Sequence, residues 1–575
     1  MTVRPLDAPT SARLPSPPAA AVPVTTPSTG RPETAAHFDT TPARVTPVEP
    51  FRALPNLSLD SGPVPPVGPF PPDPVRGHGG KPITVTATPN VEIADLKTVT
   101  STLEVTEAYE IDTLKLSLDI GHSYRGDLVV KLTSPSGKTV DISNRQGGKD
   151  DDLAGDFDLS AFKGEQTKGT WTLTVEDAAR LDTGTLRSWG IELNTVSRPE
   201  PATSVELPVL GLGAVKDRYT AEVHGKDGII YATTWGNLRG KRGDTINIFD
   251  TKGGEPKAVG SITVPGAGTI GDVQVSDDGK LLLACTDRGQ VLTYDLTDPT
   301  KPKLLGEYVS AGKAEVHTAE LATVNGKLYA FGSIIYSRPP RVVTLDLSDP
   351  TKPREVNSNP VGSPYQHDVH VKDGLLFTAG WDQGMTIYDI GGGGLGGTPE
   401  KPVKISTLAT KNGSAHNITT YKDPDSGKTF AFVGEEIPGS IGKSSQGDIH
   451  VVDITDLANP KEVAFFSVKG AGTHNFALDA EKGILYAAYY NGGVRAIDIR
   501  GDLAHGHGEE VTADGRIDLG KQNREVGHAL GKVPGENYVW GVHLMDGELY
   551  ASDMLQGIWK LDPSVIDLQP RPHEH

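Results

Sequence analysis

VLTYDLTDPTKPKLLG (Val291–Gly306) and VVTLDLSDPTKPREVN (Val342–Asn357) are two copies of one unit, and IHVVDITDLANPKEVA (Ile449–Ala464) is a third. In each, an apolar strand closes on an aspartate, a polar turn containing proline follows, and a new strand begins. Outward from these copies, the closing aspartate recurs in INIFD, VLTYD, VVTLD, MTIYD, IHVVD, VRAID and IWKLD, at Asp250, Asp295, Asp346, Asp389, Asp453, Asp498 and Asp562. Seven units of four short strands, repeating every 43 to 64 residues, predict the blades of a β-propeller rather than a helical solenoid. The seventh unit lacks a fourth strand, whereas SVELPVLGLG (Ser204–Gly213) precedes the first unit without partners. Residues 204–211 are therefore predicted to complete the seventh blade, which would bury the edges of an open circle.

The composition fits an all-β chain. Its 575 residues include 67 Gly and 44 Pro but only 4 Met and 13 Phe, and 36% are hydrophobic. The apolar shortfall lies in residues 1–79, whose Pro, Ala, Thr and Ser cannot bury enough surface to offset ordering entropy; this segment is predicted to be disordered, as a spacer or a proline-rich docking site. Residues 80–196 alternate apolar and polar positions in strings such as IDTLKLSLDI and GTWTLTVED, which predicts a compact β-sandwich. Residues 197–203 read as a linker, 204–565 as the propeller and 566–575 as a tail. A formal charge of −19 argues against nucleic acid as a partner and leaves metal ions or cationic groups. Cys285 is the sole cysteine, which excludes an intrachain disulfide and a thiolate cluster. The N-terminus shows no apolar run of signal-peptide length, and no stretch is long enough to span a bilayer.

Four strings carry a resemblance: HSYRGDL (His122–Leu128), SPSG (Ser134–Gly137), GTWTLTVED (Gly169–Asp177) and GTLRSW (Gly184–Trp189). In order and spacing they resemble the P/Homo B domain of proprotein convertases. The resemblance implies a jelly roll that accompanies subtilisin-like proteases, helps them fold, and in bacteria occurs on other modules. It also suggests an extracellular or cell-surface address. A Ser-His-Asp site needs a scaffold of a few hundred residues, and neither DSG (Asp60–Gly62) nor GTHNFA (Gly472–Ala477) supplies one, so no protease activity is expected here. The repeats are similar to the LVIVD family of bacterial propellers, which implies the fold and no single activity.

Aligning the units on their first Gly turn gives one column: Ala221, Gly271, His317, His367, His416, His474 and Trp540. Inner strands surround a propeller's axis, so these four histidines converge, either to ligate zinc, copper or iron or to bond the backbone of the next blade. The string HDVHVKDGLLFTAGWDQGMTIYDI is similar to blades of selenium-binding methanethiol oxidases, and tetra-histidine iron oxygenases also use seven blades. The cysteine- and histidine-rich motifs that define those enzymes are missing. A second column, His224, His370 and His543, has the opposite parity and should point between blades. Asp272, Asp368, Asn417 and Asn475 follow the first column and could orient the histidines or cap turns, with capping the role expected first. Glu435 and Glu436 are expected in a solvated loop, with the channel mouth as the alternative. His505, His507, His573 and His575 should bind metal only adventitiously.

In the jelly roll, Asp127, Asp151, Asp152 and Asp177 offer hard oxygen ligands for calcium; the run GGKDDDLAGD lacks EF-hand spacing and could equally be an exposed acidic turn. The function expected first is non-catalytic binding or scaffolding, with the propeller face and jelly roll recognising a protein or glycan. The alternatives are a metal-dependent, oxidoreductase-like enzyme on the histidine ring and an accessory or folding factor for a separate serine endopeptidase. The oligomeric state is left open.

Overall fold

The computed structural model describes residues 83–196, 199–335, 337, 339–361, 365–439, 441–530 and 537–570. The expected disordered segment 1–79, residues 197 and 198 of the linker, and His573 and His575 lie outside the described residues. The described chain is all-β, with short 3-10 turns and no helix long and apolar enough to cross a membrane.

Residues 83–196 form two antiparallel sheets. One has the order Ile83–Ala87, Gly184–Val196, Glu110–His122, Leu153–Asp158, with Val91–Ile93 also on Gly184–Val196; the other runs Thr98–Val105, Gly169–Asp177, Leu128–Thr133, Thr139–Asn144. Alternation buries one face of each, as in Leu128, Val130 and Leu132, around Trp171 and Trp189. Each indole finds an acceptor, Trp171 Nε1 on Thr167 O at 3.0 Å and Trp189 Nε1 on Ser101 Oγ at 2.9 Å. The end of the acidic run is not a turn: Leu153–Asp158 pairs with Glu110–His122, because Leu153 and Phe157 pack on the core.

Seven sheets of four antiparallel strands follow, with a short fifth strand added in parallel to the fifth blade (Ile517–Asp518) and to the sixth (Val205–Glu206). Their inner strands are Tyr219–Lys226, Ile270–Val275, Val316–Val324, Asp368–Lys372, Ala415–Lys422, Phe476–Asp479 and Val539–Met545. Each packs on the inner strand of the next blade, and the seventh packs on the first, so the ring is closed. The closing aspartates explain the repeat. Each accepts from the backbone N–H two residues on, at 2.8–3.1 Å, in all seven units: Lys252, Thr297, Ser348, Gly391, Thr455, Arg500 and Ser564 are the donors. This side-chain turn starts the link to the outer strand or, after Asp562, the end of the propeller.

Ring closure differs from the expected 204–211. The outer strand of the seventh blade is Val209–Ala214, antiparallel to Gly557–Leu561, while Val205–Glu206 adds in parallel to Glu525–Ala529 of the sixth blade. Pro208 is the physical reason, since it has no N–H for a ladder and divides one apolar run into two strands. Within the closing strand a Cβ on Gly213 would lie 2.8 Å from Phe249 Cε1 and 3.0 Å from Pro256 Cβ. Gly213→Val should therefore destabilise the closed ring by about 1–3 kcal/mol. Thermal unfolding should show a lowered midpoint for it and none for Leu210→Ser, at a half-exposed position of the same strand.

Candidate metal centre

The site is built by a repeated irregularity. Five inner strands lose register at the column: around Ala221, Gly271, His317, His416 and Trp540 the pairing skips residues, while the fourth and sixth strands start just after His367 and His474. Such β-bulges break the two-residue alternation and re-aim side chains. They bring distant segments face to face. Successive ring centroids lie 4.4 Å apart for His317–His367, 4.1 Å for His367–His416, 4.0 Å for His416–His474 and 4.2 Å for His474–Trp540. Trp235 completes a circle of six rings, 4.9 Å from Trp540 and 5.7 Å from His317.

Glu436 enters this circle, which corrects its expected place in a solvated loop; both Glu435 and Glu436 are buried, Glu436 to 1% exposure. Its Oε2 lies 3.8 Å from His367 Nε2 and 3.5 Å from His416 Nε2, and its Oε1 lies 3.8 Å from His474 Nε2. Donor atoms of His367, His416 and Glu436 all fall within 4.8 Å of one another, the one such trio among the described residues. A metal with bonds near 2.1 Å holds its donors roughly 3.0–3.5 Å apart, so the separations of 3.5–3.8 Å between Glu436 and the histidines lie within a few tenths of an ångström of a coordination shell. His416 Nε2, His474 Nε2 and Glu436 Oε2 are buried without a hydrogen-bond partner among the described residues. His474 Nδ1 bonds Trp540 O at 2.7 Å, which fixes the tautomer and leaves Nε2 its lone pair. His317 is held differently, with Nδ1 on Glu315 Oε1 at 2.9 Å.

Burial, reinforced by neighbouring imidazoles, holds His367, His416 and His474 well below the ordinary histidine range, so these rings are neutral. Burial pushes Glu436 up to about 7, against the opposing hydrogen bond from the Tyr490 hydroxyl and the charge of His317. Two bulky residues beside the ring have left-handed backbone, Trp381 at φ 52° and Tyr490 at φ 40°. Trp381 stacks on His367 at 5.5 Å and Tyr490 meets His474 edge-on at 5.1 Å, so this strained geometry surrounds the site.

The residue after the column position forms a second polar layer in six of the seven blades, Gly541 being the exception. Asp272 accepts from Val273 N at 2.7 Å and from Ala319 N of the next blade at 3.0 Å, so it ties blades together rather than capping a turn. Asp368 accepts from Val369 N at 2.8 Å, and Asn475 Nδ2 donates to Glu222 Oε1. Burial, then mutual repulsion, raises the Glu222 carboxyl. The second histidine column lies between blades as expected: His543 Nε2 is 2.9 Å from Gly225 O, and His370 Nδ1 is 3.3 Å from Glu320 Oε2. His505 and His507 are exposed, their Nε2 atoms 3.0 Å apart.

The four aspartates proposed for calcium do not gather into one ligand set among the described residues. Asp127 and Asp177 are buried in the sandwich, whereas Asp151 and Asp152 line an open pocket of about 680 Å³. Cationic and hydrogen-bonding groups already take up part of them. Arg187 reaches Asp152 at 3.4 Å, His122 N donates to Asp152 at 2.9 Å, and Arg145 lies 4.0 Å from Asp127.

Sequence reading missed Trp235, Trp381 and Tyr490 and undervalued Glu436. Their signal was positional: each sits just at or after the end of a second strand, in TTWGN, TAGWDQ, AAYYNGG and VGEEIPG.

Comparison with known proteins adds the following. Residues 111–193 match the proprotein convertase P-domain. A calcium-dependent protease of Nostoc sp. is 38% identical over 123 residues, covering 20% of this chain and 19% of that protein. Leupeptin-inactivating enzyme 1 of Streptomyces exfoliatus is 42% identical over 79 residues, 14% of this chain and 18% of that one. The extracellular basic protease of Dichelobacter nodosus is 37% identical over 103 residues, 18% and 17%. The chain thus spans less than a fifth of the length of these relatives. Among solved structures, Saccharomyces cerevisiae Sqt1 is 11% identical with a TM-score of 0.39, covering 64% of this chain and 88% of that one. The Cps50 (Swd1) β-propeller domain of Myceliophteria thermophila is 12% identical with a TM-score of 0.42, covering 62% and 99%. The chain carries a P-domain followed by a β-propeller.

Behind Glu436, His450 faces Glu435 Oε2 at 3.5 Å and Glu462 Oε1 at 2.9 Å. Burial opposes its charge, but these two carboxylates outweigh burial and raise it to about 9. A raised folded-state value contributes stability that is complete below the unfolded value of about 6.5 and is lost as pH rises through about 9. The thermal midpoint should therefore fall between pH 6.5 and 9, by the equivalent of roughly 3 kcal/mol, and His450→Gln should flatten that fall.

Proposed function

We propose that the propeller holds one transition-metal ion on its axis, ligated by His367, His416 and Glu436 with His474 and His317 beside it, and that the protein is a metal-dependent, oxidoreductase-like enzyme. The observation that carries this reading is the trio of buried donors within 4.8 Å, two of whose ligand-side atoms, His416 Nε2 and Glu436 Oε2, lack any hydrogen bond among the described residues. Two imidazoles and one carboxylate leave coordination positions open, a set used by non-haem iron(II) and by catalytic zinc. The donor set favours iron in an aromatic surround, where the ion would supply Lewis-acid or oxygen chemistry. Tyr490 holds Glu436 Oε1 and leaves Oε2 to the ion, and His474 is oriented by Trp540 O.

The P-domain, in this reading, supplies a recognition surface for a protein or glycan. The relatives' protease names belong to proteins of which this chain spans under a fifth, so proteolysis is not assigned to it. The word extracellular in one relative's name supports a secreted address, and calcium in another's supports a calcium ion in the P-domain, held by ligands other than the four aspartates as one set.

Elemental analysis of the purified full chain should find about one equivalent of iron, with zinc or copper as outcomes that keep the site but change the chemistry. His367→Ala, His416→Ala and Glu436→Gln should each lower the content about tenfold or more while remaining folded. A folded wild type that takes up none of the three metals removes the proposal.

A further inference from the structure

Glu436 is followed directly by an inserted hairpin of the fifth blade, Ile437–Pro438 paired with Ser445–Gln446. Its inner face is fastened to the aromatic circle. Ile441 packs on the cluster of Trp235, Tyr490, Tyr538 and Trp540; the Tyr538 hydroxyl accepts from Gly439 N at 3.3 Å and donates to Ser444 O at 3.1 Å. The outer face carries Lys443, and its Nζ lies 2.5 Å from Asp112 Oδ2 in the P-domain.

Asp112 is not an ordinary surface carboxylate. The register of Glu110–His122 against Gly184–Val196 skips between Ile111 and Thr113, so Asp112 is the bulge residue, turned out of the ladder. Its side chain is nearly buried at 8% exposure, and its other oxygen takes Lys163 Nζ at 3.0 Å. Burial works against its charge, yet the two ammonium groups hold it below the usual carboxylate range. The carboxylate is buried on its own strand, and the lysines that reach it are themselves partly exposed, Lys163 at 64% and Lys443 at 40%.

We infer that Asp112 is a positioning residue for the axial centre: the P-domain pins the hairpin through Lys443 and so fixes Glu436 among the histidines. The inference rests on the metal reading above. It gives the P-domain a role inside the propeller's chemistry, beyond that of a second recognition surface.

The test uses full-length protein loaded with Zn2+ and transferred into excess chelator. Asp112→Asn and Lys443→Gln should each speed metal release about tenfold, the double variant no more than either alone, and Asp112→Glu should restore most of the slow rate. Lys163→Gln is the control: it removes the other partner of Asp112 without touching the hairpin and should release metal at the wild-type rate. Wild-type release from Asp112→Asn, or equally fast release from Lys163→Gln, overturns the inference. Hydrogen exchange of the metal-free chain reads the same link independently. Peptides covering residues 437–446 should exchange faster in Asp112→Asn and Lys443→Gln but not in Lys163→Gln, and unchanged exchange also overturns it. If wild type binds neither zinc, iron nor copper, the metal reading has failed, and the exchange result still decides whether Asp112 pins the hairpin. If it binds iron or copper but not zinc, the release assay is run with that metal.

Discussion

A β-bulge recurring at one register of the inner strands is the constraint on which the rest depends. A strand presents alternate side chains to opposite faces, and in a propeller both faces of each sheet are occupied by neighbouring blades. The axis therefore receives few side chains unless the alternation is broken. The skipped pairing at His317 and His416, and the late strand starts after His367 and His474, do this in four consecutive blades. Ring closure then sets imidazoles about 4 Å apart although they are about fifty residues apart in the chain.

The two adjacent glutamates show what the axis lacks. Glu435 and Glu436 are both buried, and each would be costly as an unpaired charge. Glu435 meets the problem with an imidazolium: His450 lies between it and Glu462, and Arg516 sits 2.5 Å from Glu462. Glu436 faces three imidazoles that burial keeps neutral, with a tyrosine hydroxyl as its donor. A buried carboxylate and three neutral imidazoles thus share one place, the electrostatic basis of the proposed metal site.

The fold was legible because its signals are local. Each closing aspartate makes its own turn two residues on, so seven turns could be counted from the chain alone, and the sandwich followed from strict alternation. The closing strand was misplaced by several residues because an apolar run hides the effect of Pro208 on the ladder. The histidine column was legible for the same repetitive reason. Glu436 was not, because it lies where an inserted hairpin leaves the blade, and a loop carboxylate has no periodicity to reveal its burial. The four aspartates offered for calcium show the limit of counting oxygens: tertiary structure places Arg187 on Asp152 and Arg145 near Asp127, partners that the sequence does not reveal.

What the insertion costs in regularity also explains its placement. A hairpin between the second and third strands of a blade leaves the sheet at the same face as the column residues, so it can carry a carboxylate inward and a lysine outward within eight residues. Its inner fastening uses Tyr538 of the seventh blade and Asn491 of the sixth, which makes the position of Glu436 depend on three blades at once. The P-domain adds a fourth attachment through a residue that its own sheet cannot use, since Asp112 is expelled from the ladder by a bulge. Irregular backbone thus does in the sandwich what it does on the propeller axis, aiming a charged side chain away from its sheet toward a group supplied by another part of the chain.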